Sequence, residues 1–111
     1  MSSDKKFVEF IVDQMGDAGR ISQRMMFGEY AVYCDGKVVA LICDNQLFVK
    51  PTESGRNYIG KVKEAAPYPG AKLHFLIGDK VEDRVWLGEL IRLTAEELPL
   101  PKPKRPKSKK K

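Results

Sequence analysis

A chain of 111 residues, 42% hydrophobic and 32% charged, has material for one small core and an appendage. Its net charge of +5 is unevenly spread: all 15 acids and 13 of the 20 Lys and Arg fall in residues 1–98, a balance of −2, and the other 7 cations crowd into 99–111. That distribution argues against a basic nucleic-acid-reading surface on the folded part, and no apolar run reaches membrane-spanning length, so a cytoplasmic protein with no membrane association is expected.

The first apolar stretch, Phe7 to Val12, is too short for a signal peptide and is broken by Glu9. Val8, Ile11, Val12 and Met15 instead have the i, i+3, i+4, i+7 spacing of an amphipathic helix over 4–15, widened by Phe7 and Phe10. Ser2 or Ser3 could cap its start and Gly16 its end. A strand over 21–26 then feeds through Phe27-Gly28 into a strand over 29–34. Asp35-Gly36 between apolar runs is the strongest short-range hairpin signal, because a type I′ turn needs positive φ at both central residues. Asp44-Asn45 is a weaker version of the same signal, so strands follow at 37–43 and 46–50.

These two-residue loops imply a register. Cys34 falls opposite Lys37, Val32 opposite Val39, Tyr30 opposite Leu41, Leu41 opposite Phe48, and Ala40 opposite Val49. Alternation puts Tyr30, Val32, Val39, Leu41 and Phe48 on one face, and Ala31, Tyr33, Val38, Ala40, Ile42, Leu47 and Val49 on the other. Both faces are apolar, so both need cover. The chain's own helices can supply one cover; for the other a second subunit is expected, with Tyr33, Val38, Leu47 and Val49 at a homodimer interface.

Downstream, Thr52 as N-cap and Gly60 as the C′ residue frame a short helix, weakened by Gly55. Residues 61–71, with Pro67-Tyr68-Pro69-Gly70, read as a loop. Residues 72–77 (KLHFLI) read as a fifth strand with Leu73, Phe75 and Ile77 on one face. Between 79 and 98, Leu87, Leu90, Ile91, Thr94 and Leu98 form a helical stripe, with Trp86 and Leu93 at its margin. Thr94 and Glu97 have capping-box spacing, which suggests a restart there before Pro99 ends the helix. The expected fold is α+β: two layers, an antiparallel meander of about five strands packed on the N- and C-terminal helices. Residues 1–98 form the domain. Residues 99–111 (PLPKPKRPKSKKK) are expected to be a disordered, polyproline-leaning basic tail.

Chemistry is sparsely signalled. Cys34 and Cys43 sit about 20 Å apart along the hairpin, so both are expected to be reduced apolar fillers. His74 is the single histidine, and neither cysteine lies in a protease or redox motif. One His and two distant Cys cannot build a metal site, and no phosphate-binding glycine pattern occurs. No catalytic, cofactor-binding or metal-ligating residue is therefore assigned, and the chain is read as non-enzymatic. The run Arg24-Met25-Met26-Phe27 is read as strand packing in preference to a recognition surface, with Arg24 paired to a helix carboxylate. In the tail, Lys102, Lys104, Arg105, Lys107, Lys109, Lys110 and Lys111 either draw nucleic acid nonspecifically or only solubilise.

The run Arg24-Met25-Met26-Phe27-Gly28-Glu29-Tyr30-Ala31-Val32-Tyr33, then Asp35-Gly36-Lys37-Val38, then Leu47-Phe48-Val49-Lys50, resembles the TfoX N-terminal domain family of bacterial competence regulators, also called Sxy. The positions carrying the motif are Arg24, Met26, Phe27, Gly28, Tyr30, Tyr33, Asp35 and Gly36, and the likeness spans residues 5 to 98. It implies an α+β domain and a regulatory role through protein contacts. In the full-length regulators a helical second domain follows, and the pair helps activate DNA-uptake genes together with the cyclic-AMP receptor protein. A transcription factor is thus the partner that the resemblance implies. Residues 99–111 hold no counterpart of the second domain, so the chain is read as a stand-alone N-terminal domain.

Overall fold

The computed structural model describes residues 4–26 and 29–98. Helix α1 spans Lys5–Gln14, and a 3-10 turn at Gly16–Ala18 leads into β1 (Ile21–Met26), β2 (Glu29–Cys34), β3 (Lys37–Cys43) and β4 (Gln46–Val49). Helix α2 (Glu53–Ile59), β5 (Lys63–Ala65), β6 (His74–Ile77), a 3-10 turn at Asp79–Glu82 and α3 (Arg84–Glu97) follow among the described residues. All pairings are antiparallel, in the order β1-β2-β3-β4-β6-β5.

Both hairpin turns form where Asp-Gly and Asp-Asn place them. Asp35, Asp44 and Asn45 take φ of 52°, 53° and 57°, and Gly36 takes 85°, the positive values that a type I′ turn requires. Each turn is also tied to another element: the Asp35 carboxylate accepts the Arg20 amide at 2.9 Å, and Asn45 Oδ1 accepts the Asp4 amide at 2.6 Å.

Six strands replace the expected five. Lys63–Ala65 pairs with β6 inside the stretch read as a loop, and its three residues include neither a β-branched nor an aromatic side chain to announce it. Leu73 falls outside β6 and is 55% exposed. The cap of α1 is Asp4, whose carboxylate accepts the Lys6 amide; Ser2 and Ser3 lie outside the described residues. The last helix starts at Arg84 rather than 79, because Asp83 caps it by accepting the Trp86 amide at 3.0 Å. No restart occurs at Thr94, whose hydroxyl donates back to the Leu90 carbonyl at 2.8 Å.

The capping-box partner of Thr94 serves another helix. The Glu97 carboxylate accepts the Ser54 and Glu53 amides at 2.8 and 2.9 Å, two of the orphan donors that open α2. The Ser54 amide, then the Glu53 amide, hold the Glu97 carboxyl below its usual range. A pKa depressed on folding contributes stability that is present above the unfolded-state value and lost as pH falls through the folded-state value. Glu97→Gln is therefore expected to lower the melting temperature at neutral pH, with the gap to the native protein closing as pH falls from neutral through the depressed folded-state value. Paired thermal melts across that range check it.

The register carries the main correction. Cys34 does face Lys37 and Tyr33 faces Val38, but Val32 faces Ala40 and Tyr30 faces Ile42, so Val39 is an extra residue in a β-bulge. Beyond the bulge every β2–β3 pair differs from that of an unbroken ladder. On the β4 side, Ala40–Val49 and Leu41–Phe48 pair as expected. Since directly opposed residues share a face, Tyr30, Ile42, Leu47 and Ile77 form one row, and Val32, Ala40, Val49 and Phe75 form the next. Both rows join Val8, Ile11, Met15, Leu87, Leu90 and Ile91 in the core. Leu47 and Val49 are thus sealed under the chain's own helices, on the opposite face from Tyr33 and Val38. Only the latter two of the four expected interface residues can meet a partner.

Candidate functional site

The face away from the helix-side core carries one ladder row across all six strands: Arg24, Ala31, Leu41, Phe48, Leu76 and Lys63. Its middle is apolar and each end is a cation. Five strand spacings separate Arg24 from Lys63, about 24 Å. Ser22, Tyr33 and Val38 form a shorter row beside it. Ala31 and Phe48 are buried, yet neither belongs to the helix-side core. Tyr33, Val38, Leu41 and Leu76 are half-buried, and Arg24 and Lys63 are exposed. Such a surface suits a partner that brings apolar area and tolerates positive charge at its margins.

The motif positions separate by what they touch. Tyr30 packs on the helix-side core, while Tyr33 lies on the open face. Asp35 and Gly36 make the turn. Arg24 is exposed, and no ion pair joins it to a helix carboxylate among the described residues. Met26 ends β1; Phe27 and Gly28 lie outside the described residues, as do Lys102, Lys104, Arg105, Lys107, Lys109, Lys110 and Lys111. Alternation puts Leu41 with Phe48 but joins them to Tyr30 and Val32 instead of Ala31 and Tyr33, because no turn residue in the sequence marks the bulge at Val39. Lys63 is missed because its strand is.

Cys34 on β2 and His74 on β6 are three strands apart, about 14 Å. His74 Nδ1 lies 2.9 Å from the Lys72 carbonyl. Both cysteines are buried and free. Burial, then the nearby Glu29 and Asp44 carboxylates, pushes the Cys43 thiol up to about 11; burial and Asp35 push Cys34 up as well. Thiolate is the reactive form, so iodoacetamide at neutral pH is expected to leave both cysteines unmodified in the native protein and to label both in denaturant. Mass spectrometry reads the result. Among the described residues no group of three His, Cys, Asp or Glu side chains could hold a metal ion, and no helix is long and apolar enough to cross a membrane.

Residues 13–98 match the family model described as the TfoX N-terminal domain. The chain is also similar to the "Uncharacterized 12.7 kDa protein in trpE 5'region" of Spirochaeta aurantia, with 43% identity over 109 residues, covering 98% of this chain and 95% of that protein. A match over most of the length, on the residues that build the bulged sheet, α2 and α3, places the chain in the TfoX N-terminal domain family.

Proposed function

We propose that this protein is a non-enzymatic regulatory module of the competence-regulator type, working in the cytoplasm by docking a protein partner on the open sheet face. The observation that carries this reading is the six-strand row from Arg24 to Lys63, apolar at its centre and opposite the face packed on the helices. A transcription factor is the partner class that family membership favours. Capture of the full chain from its own cells after nuclease treatment tests it. The native protein should retain a transcription factor, and Leu41→Glu, which sets a charge in the middle of the row, should lose it while keeping a native circular dichroism spectrum. Equal recovery by both proteins would remove the face from the mechanism.

A second reading rests on the 7 cations among residues 99–111, which would add nonspecific affinity for nucleic acid. It expects the full chain to bind duplex DNA at low salt more tightly than a 1–98 truncation. Loss of every captured partner after nuclease would favour it over docking on the face.

A further inference from the structure

We infer that two copies of this chain join through strand β1, edge to edge, into one continuous sheet with Gln23 on the two-fold axis. The sheet ends in two very different edges. Strand β5 has the usual guards against pairing: only three residues, a Lys63-Glu64 charge pair, and Pro67 two residues on. Strand β1, at the other end, runs six residues (ISQRMM) without proline, and its single charge is Arg24. Ser22, Gln23, Arg24 and Met25 are exposed, Met25 at 61%. A long, weakly charged edge is a template for another strand.

The occupant follows from self-complementarity. In a continuous sheet with a two-fold axis normal to it, directly opposed residues must lie on the same face, so only registers centred on a residue are allowed. Centring on Arg24 sets two guanidinium groups against each other, and centring on Ser22 sets Arg20 against Arg24. Centring on Gln23 opposes no like charges: Gln23 faces Gln23, Ser22 faces Arg24, and Ile21 faces Met25. Ile21 already packs at the margin of the helix-side core and shares that face with Met25, so the apolar pair extends the core across the axis. The open faces of the two copies then run on side by side. This step builds on the docking role proposed for that face, which it leaves unblocked and doubles in width.

Cross-linking of the full chain tests the register. Opposed antiparallel residues lie about 4.5–5.5 Å apart at Cα, within disulfide reach. Under mild oxidation Gln23→Cys should form a covalent dimer, whereas Arg24→Cys, about 8 Å or more from its copy, and the exposed control Val85→Cys should not. Gln23→Lys opposes two ammonium groups and should weaken dimerisation in sedimentation equilibrium by roughly fivefold or more. A monomer at tens of micromolar, or cross-linking of Gln23→Cys no faster than of Val85→Cys, would overturn the dimer. Leu41→Glu separates the two ideas: it should leave the Gln23→Cys cross-link intact while abolishing partner capture, and a failed cross-link beside a sensitive capture would leave only the docking reading standing.

Discussion

Phe75→Ala should lower the unfolding free energy by about 3–5 kcal/mol, a large share of what a domain of this size has. Phe75 is fully buried in the middle of β6, opposite Val49 on one side and Glu64 on the other. The Arg56 guanidinium of α2 stacks 5.1 Å from its ring centre and pairs with Glu64 at 2.8 Å, so the ring lies at the joint of α2, β5 and β6. Truncation leaves a cavity bounded by three elements that cannot all close on it. Urea titration should show a midpoint reduced in proportion, with Phe75→Leu costing about 1.5 kcal/mol or less. An alanine variant as stable as the leucine variant would mean that the joint is loosely packed.

Gly55→Ala is the second large effect, and its sign opposes helix propensity. Alanine in a helix is favoured over glycine by about 1 kcal/mol. At this position, however, a Cβ would come 2.8 Å from Thr52 Oγ1, 3.3 Å from Leu90 Cδ1 and 3.4 Å from Phe75 Cε2. Thr52 Oγ1 has little freedom to retreat, since it accepts the Gly55 amide at 3.0 Å as the N-cap of α2. Overpacking costs about 1–3 kcal/mol and a lost cap about 1 kcal/mol, so the net change is destabilising. The melting temperature should fall by roughly 4–8 °C or more. A rise would show that α2 can move off α3 and β6 at no cost.

Much of this molecule is written locally. Hydrophobic spacing marks α1 and the Leu87–Leu90–Ile91 stripe of α3, and Asp35-Gly36 and Asp44-Asn45 mark the hairpins, because one or two residues decide each of these outcomes. What stayed hidden depends on distant neighbours. Gly55 reads as a weak point in a helix until α3 and β6 are seen pressing on it. Glu97 reads as a cap for its own helix but serves α2, more than forty residues away. Most consequential is Val39: a single unpaired residue moves Leu47 and Val49 from the expected partner surface into the core, and brings Leu41 and Phe48 to the open face. Neither valine nor its neighbours announce a bulge, since the choice is made by what the two flanking strands can pack beneath the helices.

Solvent paramagnetic relaxation of assigned methyl groups reads the two faces separately in one sample. Val38, Leu41 and Leu76 should broaden with a soluble gadolinium chelate, while Val32, Leu47, Val49 and Leu90 stay sharp. A sharp Leu41 signal beside broadened Leu47 and Val49 would mean that the bulge is absent and that β3 beyond Val39 and β4 present their other faces, and the docking surface described above would not exist.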